Sequence, residues 1–125
     1  MQPDLVISQT QSTPAIEGDR GAGRLFMQGD AYPENAFAVF DPVFNWLQQV
    51  LETQTNPFHL ELELGYLNTS SVKSMMDIFD LLEEVFAQGR EIQVVWRYAP
   101  ANDRIAEVAE EFREDCTFPF AIEPR

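Results

Sequence analysis

Two segments of the chain alternate between apolar and polar residues, which is the pattern of a β-strand with one buried face. They are "PFHLELELGYL" at 57–67 and "EIQVVWRYA" at 91–99. Because their outward positions include His59, Glu61, Glu63 and Arg97, we expect one face of the sheet to be at least partly in water. The residues expected to point inward are Phe58, Leu60, Leu62, Leu64, Ile92, Val94, Trp96 and Tyr98.

Nearer the N-terminus, the sequence predicts a β-hairpin. The strand-like segments "TPAIEG" and "GRLFMQG" flank "DRGA", which is rich in turn-forming residues. The preceding residues, 1–12, are expected to form either a short edge strand or an arm.

Three segments repeat their apolar residues at helical spacing. In the first, "PENAFAVFDPVFNWLQQVLET", Pro33 stands near the first turn and Pro42 interrupts the helix. The apolar phase continues through Pro42, which predicts one helix kinked near Asp41, and a second helix capped by Asp41 is the alternative. The apolar stripe of this segment comprises Phe37, Phe40, Phe44, Leu47 and Leu51.

The second helix is predicted from about Ser71 to Gln88, with Gly89 as its C-terminal cap. A third is predicted from Asn102 to about Asp115, and "CTFPFAIEPR" is expected to trail from it without regular structure. The predicted order is therefore β-β-α-β-α-β-α in a single α/β domain, residues 1–125. Strands separated by whole helices are expected to be parallel, so the sheet is mixed. Because both central strands alternate, its helices are expected to lie mainly on one face.

The charge of the chain narrows the classes of partner. Eight Lys and Arg against 21 Asp and Glu give a formal net charge of −13, which argues against nucleic acid as a partner, because phosphate binding needs clustered cations. No apolar run is long enough to span a membrane, and the N-terminus has no signal-peptide pattern. We therefore expect no direct membrane insertion and a cytoplasmic location.

Few residues suggest catalysis. The single cysteine, Cys116, has only His59 as a potential partner, and both are more typical of structural or solvated positions. Glu61 and Glu63 point the same way from one strand, so a small enzyme or ligand carrier that uses the open sheet face is the alternative function. A carboxylate with a strongly shifted pKa usually requires burial or a specific charge partner. Catalysis by Glu61 and Glu63 on an open sheet face is therefore not the favoured interpretation. We predict no cofactor and no metal site.

Four small polar residues, three of them with hydroxyl groups, stand between the first alternating segment and the second helix. They are Asn68, Thr69, Ser70 and Ser71 in "YLNTSSVKS". One Ser or Thr is enough to cap a helix N-terminus. A phosphate there would meet unpaired N–H groups and the positive end of the helix dipole. One hydroxyl is thus predicted to cap the helix while another is available for modification, although redundant capping explains the same residues.

The second helix also has a wide apolar stripe. Methionines such as Met75 and Met76 are typical of cores but also of adaptable binding surfaces. Ile78, Leu81 and Val85 widen the stripe beyond what one sheet face is expected to cover, and an exposed apolar surplus marks an interaction site. Met75, Ile78, Leu81 and Val85 are therefore the candidate partner-binding residues.

Four long motifs resemble a known family: "TQSTPAIEGD", "GRLFMQGDAYPEN", "YLNTSSVKSMMDIFDLLEE" and "AEEFREDCTFPFAI". They are similar to the SiaC-type regulatory phosphoproteins of bacterial biofilm signalling over nearly the whole chain. The resemblance implies a fold like that of anti-sigma-factor antagonists (STAS-like), in agreement with the predicted element order.

The resemblance also implies a function without catalysis. The family's phosphorylated threonine falls in "LNTSS", which corresponds to Thr69. A serine/threonine kinase modifies it, and a metal-dependent phosphatase removes the phosphate. The unmodified family protein binds and activates a diguanylate cyclase and so raises cyclic di-GMP. The segment "AFAVFDPVF", with Pro42, departs from the family pattern and leaves the identity of the partner open.

Overall fold

A six-stranded mixed sheet forms the centre of the molecule. The computed structural model describes residues 3–125; Met1 and Gln2, part of the predicted edge strand or arm, lie outside the described residues. The strands occur in the sheet in chain order, β1 to β6. Their bounds are β1 Leu5–Ile7, β2 Ala15–Asp19, β3 Arg24–Ala31, β4 Phe58–Leu67, β5 Ile92–Tyr98 and β6 Phe120–Pro124.

The sheet changes from antiparallel to parallel pairing at β3. β1 pairs with β2 and β2 with β3 in antiparallel fashion, which confirms the predicted hairpin. β3, β4, β5 and β6 then pair in parallel. The three parallel connections each contain a helix: α1 Ala36–Thr53, α2 Thr69–Ala87 and α3 Asp103–Glu114.

All three helices cover the same face of the sheet. The buried side chains of the helices share one core with the inward residues of the strands, such as Met27, Leu62 and Trp96. Successive right-handed crossovers that advance in one direction place their helices on one side, so this layering follows from the strand order. The predicted α/β class, mixed sheet and one-sided helices are therefore confirmed. No helix within residues 3–125 is long and apolar enough to cross a membrane.

Helix α1 is one continuous helix through Pro42, not two. Its N-cap is Asn35, whose side chain accepts a hydrogen bond from the Ala38 N–H, so neither a first-turn Pro33 nor a restart at Asp41 is observed. Phe37, predicted on the buried stripe, is instead exposed. The buried face of α1 instead runs through Ala36, Phe40 and Val43, and Phe37 lies to one side of it.

The C-terminal segment corrects the predicted element order. Residues expected to trail form β6, which extends the sheet beside β5 with Val94 opposite Phe120. The Phe120 ring packs against Phe79 of α2 with 5.4 Å between ring centroids. This burial stabilises a strand whose sequence does not show a clear alternation.

Candidate functional site

The turn between β4 and α2 is held by Asn68. Its side-chain oxygen accepts a hydrogen bond from the Ser71 N–H at 2.9 Å, so Asn68 is the N-cap of α2. Its amide nitrogen donates to the Pro33 carbonyl at 3.0 Å, and its backbone N–H donates to the Ala31 carbonyl at 2.9 Å. Asn68 thereby ties the start of α2 to the segment that follows β3.

This geometry corrects the predicted start of the helix. The helix begins at Thr69 and not at Ser71, and the cap is an amide and not a hydroxyl. An Asn side chain caps a helix as well as Ser does. All three hydroxyl residues therefore lie inside the first turn, and none is needed as its cap.

The three hydroxyls differ in accessibility. Ser70 donates its hydroxyl hydrogen to the Asn68 side-chain oxygen at 3.3 Å. Ser71 has no exposed surface, and its hydroxyl has no hydrogen-bond partner. Thr69, at the first helical position, is exposed. Of the three, Thr69 offers the hydroxyl that an enzyme reaches without distorting the turn.

The electrostatic surroundings of Thr69 suit a phosphate. The first turn of α2 contains no acidic residue, and the exposed Lys73 lies one turn further on the same side of the helix. Among the hydrogen bonds described for residues 3–125, none satisfies the backbone N–H of Thr69 or Ser70. Free N–H groups at a helix N-terminus attract anions.

A pair of exposed tyrosines lies beside this turn. Tyr32 and Tyr66 are 41% and 48% exposed and meet edge to face, with 6.2 Å between ring centroids. Their chain neighbours Ala31 and Leu67 are paired between β3 and β4. Exposed aromatic side chains are common anchors of protein interfaces.

Alternation along β4 does not reveal that Tyr66 is exposed, because the strand contains a β-bulge. Gly29 pairs with Leu64 and Asp30 with Tyr66, so Gly65 is an extra residue in β4. An extra residue reverses the alternation, and Tyr66 therefore points outward although strict alternation from Leu64 would bury it. Gly65 within a strand pattern was the available signal.

Two of the predicted partner-binding residues are not at the surface. Met75 and Ile78 are 0% exposed and belong to the core, so Met75 fills the core and Ile78 is not part of an exposed apolar surplus. The sheet is not the only element that covers α2, since α1 also packs against it. Leu81 and Val85 are partly buried at the edge of the core, and their role in partner binding stays a prediction. Met76 is the exposed methionine, at 47%.

The open sheet face carries ion pairs. Arg24 donates two hydrogen bonds to the Glu61 carboxylate, at 2.6 and 3.0 Å, and Arg97 lies 3.8 Å from the same group. These hydrogen bonds from Arg24 lower the pKa of Glu61, against an opposing effect of burial. Arg125 lies 3.1 Å from Glu63. A general acid needs a raised pKa at neutral pH, so Glu61 is poorly suited to that role.

Cys116 is a packed thiol. Burial is the main cause that raises its pKa to about 11, and nearby carboxylates add to it. Its Sγ donates to the Phe112 carbonyl at 3.3 Å. Since the thiolate is the reactive form of cysteine, this residue is not an activated nucleophile.

The fold and the exposed hydroxyl at the start of α2 are those of a small regulatory domain. The sequence model of the SiaC family of regulatory phosphoproteins matches residues 7–125. The chain belongs to this family, as its motifs indicated.

Two solved structures of SiaC are similar to this chain. One is the crystal structure of the diguanylate cyclase SiaD in complex with its activator SiaC from Pseudomonas aeruginosa. The match has a TM-score of 0.95 and 56% sequence identity, and it covers 98% of this chain and 100% of that one. A second structure of SiaC from Pseudomonas aeruginosa matches with a TM-score of 0.93 and 54% identity, and it covers both chains completely, at 100% each.

A relative is also found among curated sequences. The protein PA14_02130 of Pseudomonas aeruginosa strain UCBPP-PA14 is 58% identical over 120 residues, which are 96% of this chain and 95% of that protein. The similarity therefore extends over nearly the full length of both proteins.

Proposed function

We propose that this protein is a non-catalytic switch whose unphosphorylated form binds and activates a diguanylate cyclase, promoting cyclic di-GMP synthesis and biofilm formation. Phosphorylation of Thr69 ends the interaction. A serine/threonine kinase transfers the γ-phosphoryl group of ATP to the Thr69 oxygen, and a metal-dependent phosphatase hydrolyses the ester to restore the hydroxyl. Because ATP and GTP are the nucleotides consumed, the cycle takes place in the cytoplasm.

The observation that carries the proposal is the position of Thr69. It is exposed at the first position of α2, while Ser71 is enclosed and Ser70 donates to the cap. The same segment matches a family of regulatory phosphoproteins, and the similar SiaC is the activator of SiaD. A modification at this point changes the surface beside Tyr32 and Tyr66 without disturbing the core.

The proposed interface includes Thr69 and the tyrosine pair. Tyrosines supply large contact area at low cost in conformational entropy, which suits a central position in an interface. A neutral threonine can be buried in such an interface at little cost when its hydroxyl finds a hydrogen-bond partner. A phosphate in the same place must lose its water, and an uncompensated buried charge costs several kcal/mol.

The test of the site is peptide mapping after treatment with the cognate kinase. We expect one phosphate per chain, on the peptide that contains Thr69, and none in Thr69→Ala. Ser70→Ala is the matched control and should be modified as the wild type is. Full modification of Thr69→Ala would overturn the assignment. The accompanying test of function is cyclase activity, which should rise with the unmodified protein and fall back after phosphorylation.

A further inference from the structure

A groove runs between the outer faces of α1 and α2. It has a volume of about 450 Å³, and none of its lining residues belongs to the first turn of α2. Its apolar residues are Phe37, Phe40, Phe44 and Leu81. Phe37 is 48% exposed, so an apolar ring stands at one end of the groove in water.

Both walls of the groove are regular helix faces. Along α1, Phe37, Phe40, Phe44 and Gln48 repeat at intervals of three and four residues. Along α2, Ser74, Asp77, Leu81 and Glu84 do the same. At about 1.5 Å of rise per residue, the α1 wall is about 16 Å long, or roughly three helical turns. A groove of this shape accommodates a short helix lying along both walls.

The charge of the groove has one sign. Asp41, Asp77, Asp80 and Glu84 line it, and its lining contains no Lys, Arg or His. None of the ion pairs described for residues 3–125 involves any of these four carboxylates. Other carboxylates, such as Glu61 and Glu63, have arginine partners within the fold. The groove carboxylates therefore remain free to pair with a cationic ligand.

A buried polar group in the groove points to a ligand independently of the charges. Ser74 is only 5% exposed and lines the groove, yet its hydroxyl has no hydrogen-bond partner. Buried hydroxyls without a partner are rare because they lose their hydration without compensation. A ligand that brings a donor or acceptor to this point removes the deficit.

We infer that this groove binds a basic amphipathic helix of a partner protein. The apolar side of such a helix contacts Phe37, Phe44 and Leu81, and its Lys or Arg side chains reach the four carboxylates. Apolar anchors provide most of the affinity, and the charges provide orientation and selectivity for a cationic partner.

Two other occupants fit less well. Within residues 3–125, no group of three or more His, Cys, Asp and Glu side chains is arranged to hold a metal ion. A second copy of the chain would bring another formal charge of −13 to an acidic groove, which like-charge repulsion opposes.

The groove acts separately from Thr69. A phosphate adds negative charge, which does not repel a basic helix. Binding in the groove is therefore expected to persist whether or not Thr69 is modified, so this inference does not rest on the proposed cyclase switch.

The experiment is a fluorescence anisotropy titration of the full chain with a labelled synthetic helix of leucine and lysine, its leucines on one face. We expect one helix bound per chain. A helix with glutamate in place of lysine should not bind, and a peptide of the same leucine and lysine content in scrambled order should bind at least about tenfold more weakly. Equal binding of all three peptides would overturn the inference.

Substitutions then locate the site. Asp80→Lys should weaken binding about tenfold, since it replaces an attraction with a repulsion. Phe37→Ala should weaken it by about the same factor through loss of apolar contact, and because Phe37 is exposed the fold is retained. Ser74→Ala should weaken binding several-fold while leaving the melting temperature unchanged or raised, because it removes an unpaired buried hydroxyl.

The control for general charge attraction is Glu107→Lys, which makes the same charge change at an exposed position of α3. It should alter binding by no more than about twofold. If Glu107→Lys and Asp80→Lys weakened binding equally, the peptide would be following overall charge and the groove would not be its site. Thr69→Glu should leave the affinity unchanged; loss of binding in that variant would show that the groove and the phosphosite are one surface.

Discussion

Helix α2 contains two regions with opposite surroundings. Met75 and Ile78, in its middle, are enclosed by the sheet and by the neighbouring helix. The first turn, only a few residues away, leaves Thr69 in solvent and is held by the side chain of Asn68. The middle of the helix therefore stabilises the fold, while a residue of the first turn can be modified without changing the fold.

The energies of the two regions differ accordingly. Burying one large apolar side chain stabilises a fold by about 1.5–3 kcal/mol. A helix N-cap contributes about 1 kcal/mol, and an exposed side chain outside such features contributes about 0.5 kcal/mol or less. Substitutions along α2 should therefore lower the free energy of unfolding most in its buried middle, less at its N-cap and least at exposed positions.

The largest loss is expected for Ile78→Asp. This change places a carboxylate at a position with no exposed surface, and an unpaired buried charge costs about 4 kcal/mol or more. Since a domain of this kind is stable by about 5–15 kcal/mol, the variant should be partly or wholly unfolded. Urea denaturation followed by circular dichroism measures the difference.

Met76→Asp is the matched control, two residues earlier on α2 and 47% exposed. It should lower the free energy of unfolding by less than about 1 kcal/mol. Equal urea midpoints for the two variants would contradict the burial of Ile78 described here.

An intermediate loss is expected for Asn68→Ala. The substitution removes the acceptor for the Ser71 N–H and the donor to the Pro33 carbonyl. We expect a loss of about 1–2 kcal/mol in the free energy of unfolding. The fold should be retained, with amide hydrogen exchange faster in the first turn of α2 than in its middle.

Asn68→Asp separates the two contacts, because it keeps the acceptor for the cap and loses the donor to Pro33. Its free energy of unfolding should lie between those of Asn68→Ala and the wild type. A variant Asn68→Asp as unstable as Asn68→Ala would mean that the link to Pro33, and not the cap, holds the turn.

Sequence periodicity predicted most of the fold. The period of two identified β4 and β5, and the turn-forming residues of "DRGA" identified the hairpin of β2 and β3. The helical spacing identified three helices, including the continuity of α1 through Pro42. The order of elements then determined the parallel pairing and the one-sided helix layer. These features depend on local patterns that a single sequence contains.

The predictions that were wrong concern segments whose structure depends on tertiary contacts. β6 has no clear alternation, and its pairing with β5 and the packing of Phe120 become evident only in three dimensions. The spacing of α2 places Ile78 in a stripe wider than one sheet face, and it does not show that α1 also packs against this helix. The exposure of Tyr66 depends on the bulge at Gly65, which sets the register of β4 against β3. The motif "LNTSS" indicates Thr69, whereas the cap by Asn68 depends on the geometry of the turn.

Thr69→Glu is expected to change the stability least, yet to abolish binding of the cyclase in the proposed switch. Thr69→Glu adds a carboxylate to an exposed first-turn position, where the helix dipole favours it by about 0.3–1 kcal/mol. The melting temperature should therefore remain unchanged or rise slightly. Thr69→Gln, similar in size but neutral, is the control and should bind the cyclase more strongly than Thr69→Glu.

The physical reason for loss of cyclase binding is local. A phosphate adds about −1.5 to −2 charges to a chain already at −13, so long-range repulsion changes little. Attraction to the helix N-terminus, about 2 kcal/mol at most, is also too small, because reversing a two-state equilibrium takes about 5.5 kcal/mol. Desolvation of the phosphate at a surface shaped for threonine reaches that size. High salt should therefore restore little cyclase binding to the phosphoprotein, as measured by calorimetry; recovery in salt, or a differently folded phosphoprotein, would rule this mechanism out.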